Sequence, residues 1–477
     1  MGRILKNFIF NSCSQLLSII VPLITAPYLS RVLGPENIGI ESYINAISQL
    51  FYTIGMLGLT NYATREIAYV RDSKKERSKV FWEMMLARVI VFGGSLAVFL
   101  IVGYHNQYRS FFIIQIVWLI AMFFDVSWFF IGMEMFGCTV LRNFIVRILT
   151  LVSIFVFIKD QDDFVLYFIL CAVFQLIGTI SIFPQVAPYI EKVKFSELKV
   201  ARHFIPSIKV FLPQFASVLY LQVDKVMIEA ICNDTKQIAY YSQAEKLIKA
   251  PIALITAVSS VMMPRIANEF SKNNIEKIQS YLDVTLRGLM LMAWPVAFGM
   301  AAIAEKMIPW YLGDAFEPTI YAMMLLAPII VAIAASSLSA NQYFLATNQT
   351  RIMTISYTTS AVLNLAINAL MIPNYGFIGA AIGTIVAEYT VFIMQYYVMN
   401  KQIRIMPTMI RSLKYGFYSA LMFVIVYFIG KYCSATVWTT LLQAVVGIGV
   451  YVILLAVTKD ELFVSVIKKV ICRVLKS

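Results

Sequence analysis

The chain has 477 residues, of which 60% are apolar and only 14% charged, with a mean hydropathy of +0.77. Soluble globular domains carry about 25% charged residues, so a soluble class is excluded and a polytopic membrane protein is implied. The formal net charge of +13 would suit nucleic acid only if the basic residues shared one surface, and here they sit in short connectors between apolar stretches.

A bilayer-crossing helix needs about 20 mostly apolar residues, and such windows recur from Phe8 to Val457. They predict about fourteen spans, at 8–30, 38–62, 83–103, 111–133, 141–158, 164–183, 207–231, 238–263, 284–304, 320–340, 353–372, 376–398, 414–431 and 437–457. The first resembles a secretory signal, with Arg3 and Lys6 ahead of an apolar run. That run continues to Leu33 and ends at Gly34-Pro35 without a small-residue cleavage pattern, so an uncleaved first helix is expected.

With both termini on the inner side, about 29 of the 39 Lys and Arg residues fall in inner connectors and about six in outer ones, the positive-inside asymmetry of membrane proteins. The remaining four, Arg88, Lys225, Lys246 and Lys249, lie within spans. The basic connectors face anionic headgroups, so membrane lipids are expected partners and nucleic acid is not.

Between the fifth and sixth spans lies Asp160-Gln161-Asp162-Asp163. Acidic runs of this kind hold a metal and a nucleotide sugar in glycosyltransferases, but a tight outer turn has no room for such a site, and a solvated turn is expected. The six cysteines are scattered, no CxxC occurs, and the histidines are His105 and His203 alone. That pattern supports neither a disulfide framework nor zinc, and no metal, cofactor or catalytic residue is assigned.

A weak internal echo organises the chain. Ile38-Gly39 opens the second span and Arg65 follows it, as Ile238-Ala239 opens the eighth and Arg265 follows that. Two six-helix halves of like orientation imply a parallel repeat about an axis along the membrane normal. The expected architecture is all-α and integral to the membrane: an N-terminal lobe at 1–190, a C-terminal lobe at 191–400, a central cavity between them, and a helix pair with a basic inner tail at 401–477. In that tail Leu462, Phe463, Val466, Ile467, Val470 and Ile471 recur at helical spacing, which predicts an amphipathic helix on the lipid surface.

Ionisable groups at membrane depth are costly and usually face a wet cavity or a partner. Lys246, Lys249 and Glu388 fall nearest the midplane, Asp224, Lys225 and Glu245 toward the outer side, and Arg88, Arg147 and Asp125 toward the inner side. Glu245 and Lys249 stand one helical turn apart, so a local ion pair competes with a cavity role. Arg142 is expected to snorkel to the inner interface. Pro22, Pro27, Pro206, Pro213, Pro251 and Pro295 are expected to bend their helices, and Gly376, Gly379 and Gly383 to permit close helix packing.

Several stretches carry a family likeness. They are Thr25-Ala26-Pro27-Tyr28-Leu29-Ser30-Arg31-Val32-Leu33-Gly34-Pro35-Glu36-Asn37-Ile38-Gly39, Asp125-Val126-Ser127-Trp128-Phe129-Phe130-Ile131-Gly132-Met133-Glu134, Arg142-Asn143 with Arg147, Gln222-Val223-Asp224-Lys225-Val226-Met227-Ile228 and Asn374-Tyr375-Gly376-Phe377-Ile378-Gly379-Ala380-Ala381. In this order, and over essentially the whole chain, they resemble the bacterial polysaccharide transporter family (Wzx-like flippases for O-antigen or capsular repeat units) of the multidrug/oligosaccharidyl-lipid/polysaccharide exporter superfamily.

The resemblance implies a flippase in the bacterial cytoplasmic membrane, with N- and C-termini cytoplasmic, moving a polyprenyl-pyrophosphate-linked oligosaccharide outward for surface polysaccharide synthesis. Arg88, Arg147, Lys225, Lys246 and Lys249 are then expected to make the cavity electropositive and attract the pyrophosphate. No nucleotide-binding P-loop occurs, so a secondary carrier is implied. Asp125, Asp224, Glu245 and Glu388 are candidates for coupling to a proton or sodium ion, and the inside-negative potential itself favours outward movement of an anion. Other polysaccharide-assembly proteins are candidate partners. Two other readings compete: an organic cation exporter of the same superfamily, and a multi-pass polymerase or ligase, an enzyme class that would present a large outer loop with catalytic Arg or His.

Overall fold

The computed structural model describes residues 2–465, with side chains described outside 2–17, 19, 136 and 257–261. The described residues fold as helices with short 3-10 and π segments and no strand. The side chains of Arg3 and Lys6, and the tail positions Val466, Ile467, Val470 and Ile471, lie outside the described residues. The chain divides into two compact units, between Glu229 and Ala230.

The first unit opens with α1 (Gly2–Met56), which breaks at Gly34, φ 75° and ψ 172°. Glycine takes such backbone angles without a Cβ penalty, and Pro35 then suits the first turn of a restarted helix. Both predicted spans, 8–30 and 38–62, therefore lie in α1 and its continuation. A second joint at Leu57 and Gly58, with φ 44° and 70°, leads into α2 (Leu59–Val70). A Cβ on Gly58 would come within 2.8 Å of the Phe211 nitrogen and the Ser207 oxygen, so this glycine lets the joint press on a later helix.

That later helix is α8 (Phe204–Cys232). Before it come α3 (Lys74–Tyr104), α4 (Arg109–Phe123), α5 (Ser127–Gly132), α6 (Phe136–Phe157) and α7 (Phe164–Ile182), then 3-10 turns up to His203. The Ser73 side chain caps α3 by accepting the Glu76 N–H. In the turn before α7, Asp160 accepts the Asp162 N–H at 3.0 Å and Asp163 accepts the Lys159 N–H at 2.7 Å, so these carboxylates serve an exposed turn.

The core of this unit explains one of the recognisable stretches. Val126, Trp128, Phe129 and Phe130 are buried with Ile67, Phe81 and Met84, and Trp128 stacks on Phe81 with centroids 5.6 Å apart. Lipid tails are as apolar as these side chains, so close van der Waals packing rather than escape from water holds the cluster together.

The second unit contains α9 (Thr235–Ser271), α10 (Ile275–Tyr311), α11 (Thr319–Leu326), α12 (Ile329–Ser337), α13 (Thr350–Tyr375), α14 (Phe377–Gln402), α15 (Met406–Lys431) and α16 (Val437–Val457). From α11 to α12 the axis bends by 42°. The α13–α14 hairpin is tight because a Cβ on Gly379 would sit 2.6 Å from the Met371 carbonyl carbon, and one on Gly383 would sit 2.1 Å from Asn368 Oδ1. The glycine face expected from the sequence thus packs one helix against the next.

Among the described residues ten helices are long and apolar enough to cross a membrane, or eleven with α11 and α12 taken as one bent span. The predicted spans 8–30, 38–62 and 238–263 fall in α1, in α1 with the start of α2, and in α9, outside that set. Pro22, Pro27, Pro213, Pro251 and Pro295 lie inside continuous helices and Pro206 in the first turn of α8, and the chain's interruptions come at Gly34, Leu57-Gly58, residues 124–126 and Ala327-Pro328. Neighbouring helices in a bundle re-satisfy a carbonyl that proline leaves free.

Candidate functional site

Where α4 stops at Phe123 and α5 begins at Ser127, backbone carbonyls lose their helical partners. Arg88 of α3, 1% exposed, supplies donors there. Its Nη1 donates to the carbonyls of Asp125 at 2.8 Å and Phe123 at 3.4 Å, its Nη2 donates to Thr60 Oγ1 at 3.2 Å, and its guanidinium lies over the Trp128 ring at 5.3 Å. The Asp125 carboxylate caps α5 by accepting the Ser127 N–H at 2.8 Å and the Ser127 hydroxyl, and it pairs with Arg142 at 3.1 Å. Arg142 therefore does not snorkel, because a carboxylate lies within its reach inside the protein. Arg88 and Asp125, expected in the cavity, are both engaged in stitching the α4–α5 break.

Arg147 has a different setting. It lines a chamber of about 260 Å³ between α1, α4, α6 and α7, where Glu41, Asn45, Gln115, Thr150, Tyr167 and Gln175 alternate with apolar side chains such as Trp118, Val146 and Phe168. A hydrogen-bond chain crosses the chamber: Asn45 Nδ2 donates to Glu41 Oε1 at 2.6 Å, and Gln115 Nε2 donates to Asn45 Oδ1 at 3.1 Å. Polar side chains from four helices converge here inside an apolar bundle, where such groups are expensive and functional by default. Glu41 escaped the sequence reading because it begins the predicted span 38–62, where a carboxylate passes for an interfacial one. Its signal was Asn45, one turn on.

Two buried acids of the first unit were also missed. Glu83 of α3, 1% exposed, accepts the Lys199 N–H at 2.6 Å and Arg202 Nη2 at 2.6 Å, and faces His203 Nε2 at 2.8 Å. His203 Nδ1 lies 3.1 Å from the Tyr62 hydroxyl. This cluster clamps the 3-10 connector onto α2 and α3. Glu229 accepts from Gln107 Nε2 and from the Tyr108 hydroxyl, each at 2.9 Å, and burial, followed by that carboxylate, pushes the Tyr108 phenol well above its ordinary range.

Of the remaining expected residues, Asp224 is buried in α8 and Lys225 Nζ donates to Gln222 Oε1 at 3.3 Å. In the second unit Lys249 Nζ donates to Glu245 Oε1 at 2.5 Å, the one-turn ion pair, while Lys246 is exposed and Glu388 is buried in α14. Ser356, Ser360, Asn364 and Asn368 form a fully buried polar row along α13. Gln395 Nε2 of α14 donates to Ser356 Oγ at 3.0 Å, and the Tyr241 hydroxyl lies 2.7 Å from Thr384 Oγ1. Among the described residues no group of three or more His, Cys, Asp or Glu side chains is placed to hold a metal ion.

Comparison with known proteins agrees with this architecture. The family described as "Polysaccharide biosynthesis protein" matches residues 4–270. A protein of Escherichia coli (strain K12) with the description "Putative O-antigen transporter" is 23% identical over 410 residues, 83% of this chain and 97% of that protein. The lipid II flippase MurJ in an inward closed conformation superposes with a TM-score of 0.67 at 19% identity, covering 96% of this chain and 99% of that one. An inward-facing multidrug resistance MATE family transporter of the MOP superfamily superposes with a TM-score of 0.63 at 14% identity, covering 82% and 94%. These two likenesses concern the fold. Matched over more than half its length, the chain belongs to the polysaccharide biosynthesis protein family.

Proposed function

We propose that the chain is a flippase carrying a polyprenyl-pyrophosphate-linked oligosaccharide repeat unit from the inner to the outer leaflet of the cytoplasmic membrane, by alternating access, for surface polysaccharide synthesis. The observation that carries this reading is the Glu41–Arg147 chamber, a hollow that brings a carboxylate, a guanidinium and three amides together inside a bundle of apolar helices, in a chain of a polysaccharide biosynthesis family. Each sugar hydroxyl stripped of water without a new partner costs roughly 2 kcal/mol or more, so an unaided crossing is negligibly slow. A polar interior lowers that cost for the head group while the polyprenyl tail stays in lipid.

Within this reading Arg147, Lys225, Lys246 and Lys249 attract the pyrophosphate, as Arg and Lys commonly do. Arg88 acts behind them by holding the α4–α5 break. Asp224, Glu245 and Glu388, joined by Glu41, are the carboxylates offered for loading a proton or sodium ion, and Asp125 is held by Arg142 and Ser127. The inside-negative potential adds roughly 2.3 kcal/mol per charge per 100 mV to outward movement of an uncompensated anion. Both termini lie on the cytoplasmic side in this reading, and the positive-inside distribution supports that.

The test is made in cells lacking the protein. They should lose surface polysaccharide and accumulate the lipid-linked repeat unit on the inner leaflet. Unchanged surface polysaccharide, or a block before the lipid-linked unit is assembled, would contradict the proposal.

A further inference from the structure

A second cavity in the first unit, about 380 Å³, lies between the end of α1, the start of α2 and the middle of α8. Its character is opposite to that of the Arg147 chamber. Three side-chain amides, Gln49, Asn61 and Gln214, and four hydroxyls, Tyr52, Thr53, Thr60 and Ser217, point the chemistry toward hydrogen bonding, and no Asp, Glu, Lys, Arg or His belongs to the lining. Among the described residues the three amides take part in no side-chain hydrogen bond within the chain. Each offers two donors and a carbonyl acceptor.

The hydroxyls are already polarised. Thr53 Oγ1 donates to the Gln49 carbonyl at 2.7 Å and is left as an acceptor, whereas Thr60 Oγ1 accepts from Arg88 at 3.2 Å and is hydrogen-bonded to the Tyr52 hydroxyl, which leaves the phenol as the second polar group of the pair facing the cavity. Tyr52 also lines the cavity, its ring held edge-on against Trp118 with centroids 6.0 Å apart. Alternating donors and acceptors beside an aromatic ring fit vicinal sugar hydroxyls, each of which both donates and accepts. A carboxylate placed there would meet no cation in the lining and would bear the cost of lost hydration.

We propose that this cavity is a subsite for uncharged sugar residues of the transported head group, and that it discriminates against an acidic sugar. The inference rests on the flippase reading. Liposomes bearing the purified protein receive one of two probes, a polyprenyl-pyrophosphate-linked trisaccharide of neutral hexoses or its counterpart with one hexuronic acid. Movement between leaflets is followed with an impermeant glycosidase. The neutral probe should move at least about fivefold faster, the worth of roughly one net hydrogen bond. Gln214→Arg should shift that preference toward the acidic probe by about tenfold, the worth of a hydrogen bond to a charged group, and Gln49→Leu should slow the neutral probe more than the acidic one. Equal rates for the two probes in the wild-type protein would overturn the subsite and leave the flippase reading standing. So would a folded Gln214→Arg protein that keeps the wild-type preference. If Gln214→Arg does not fold, the wild-type preference and Gln49→Leu decide. Movement of neither probe by folded protein would overturn the flippase reading, and the subsite with it.

Discussion

The Arg88 guanidinium donates to the Asp125 backbone carbonyl at 2.8 Å, so an arginine at membrane depth is occupied by a break in a neighbouring helix. Replacing it with leucine leaves the Phe123 and Asp125 carbonyls without their donors in a water-poor interior. Arg88→Leu should lower stability by about 2–4 kcal/mol, and Arg88→Lys by less, since an ammonium keeps the charge but loses the planar fork. Thermal unfolding in detergent measures both, and a wild-type Tm for Arg88→Leu would show that the contact is dispensable.

Arg147 lines a chamber with a carboxylate and several amides, where a phosphate oxygen would gain charge-assisted hydrogen bonds. Arg147→Gln should keep the fold and slow transport of a lipid-linked pyrophosphate by about tenfold, matching one hydrogen bond to a charged group. Wild-type transport by this variant would remove Arg147 from the binding set.

Two glycines make a matched pair of tests. A Cβ on Gly379 meets the Met371 backbone at 2.6 Å, whereas a Cβ on Gly93 of α3 meets nothing within 4 Å. Gly379→Ala should part α13 from α14 and cost about 1–3 kcal/mol, while Gly93→Ala should gain about 0.5–1 kcal/mol from helix propensity. The opposite order of Tm values would refute the packing role of the glycine face.

Asp460, just past α16, accepts the Leu462 and Phe463 N–H groups at 3.1 Å each and pairs with Lys414. Burial alone would raise its carboxyl, but Lys414, the Phe463 N–H and the Tyr415 hydroxyl hold it below the ordinary 3.8. Because the folded value is depressed, the stabilisation is present above pH 3.8 and is lost as pH falls through the folded value. A nitroxide at Ser465→Cys should therefore be immobile at neutral pH, gain mobility below pH 3.8, and be mobile at neutral pH in Asp460→Asn. An immobile label in Asp460→Asn would contradict the latch.

Much of the architecture was legible from apolar run length. Glu245 and Lys249 form the ion pair that was one of the two readings their one-turn spacing left open, and Gly379 and Gly383 packed as small residues on one face should. The breaks were read unevenly: the first apolar run ends at Gly34-Pro35, where the chain does break, whereas Leu57-Gly58 lies inside the predicted span 38–62 and turns the chain by positive φ that no hydropathy window registers. Glu41, Glu83 and Glu229 lay near predicted span ends, where linear position cannot separate a solvated carboxylate from one enclosed by another helix. Arg88 and Arg147 looked alike in sequence. Only the packing of α4 and α5 shows that one serves the backbone and the other lines a chamber.

The most direct measurement places a short polyprenyl-pyrophosphate-linked oligosaccharide in one leaflet of liposomes bearing the purified protein, then follows its exposure to an impermeant glycosidase on the other side. Protein-dependent exposure, reduced when Lys246 and Lys249 are both neutralised, is the predicted result. No exposure under any imposed ion gradient or potential, with uptake of a cationic dye instead, would contradict the flippase account and assign the chain to drug export.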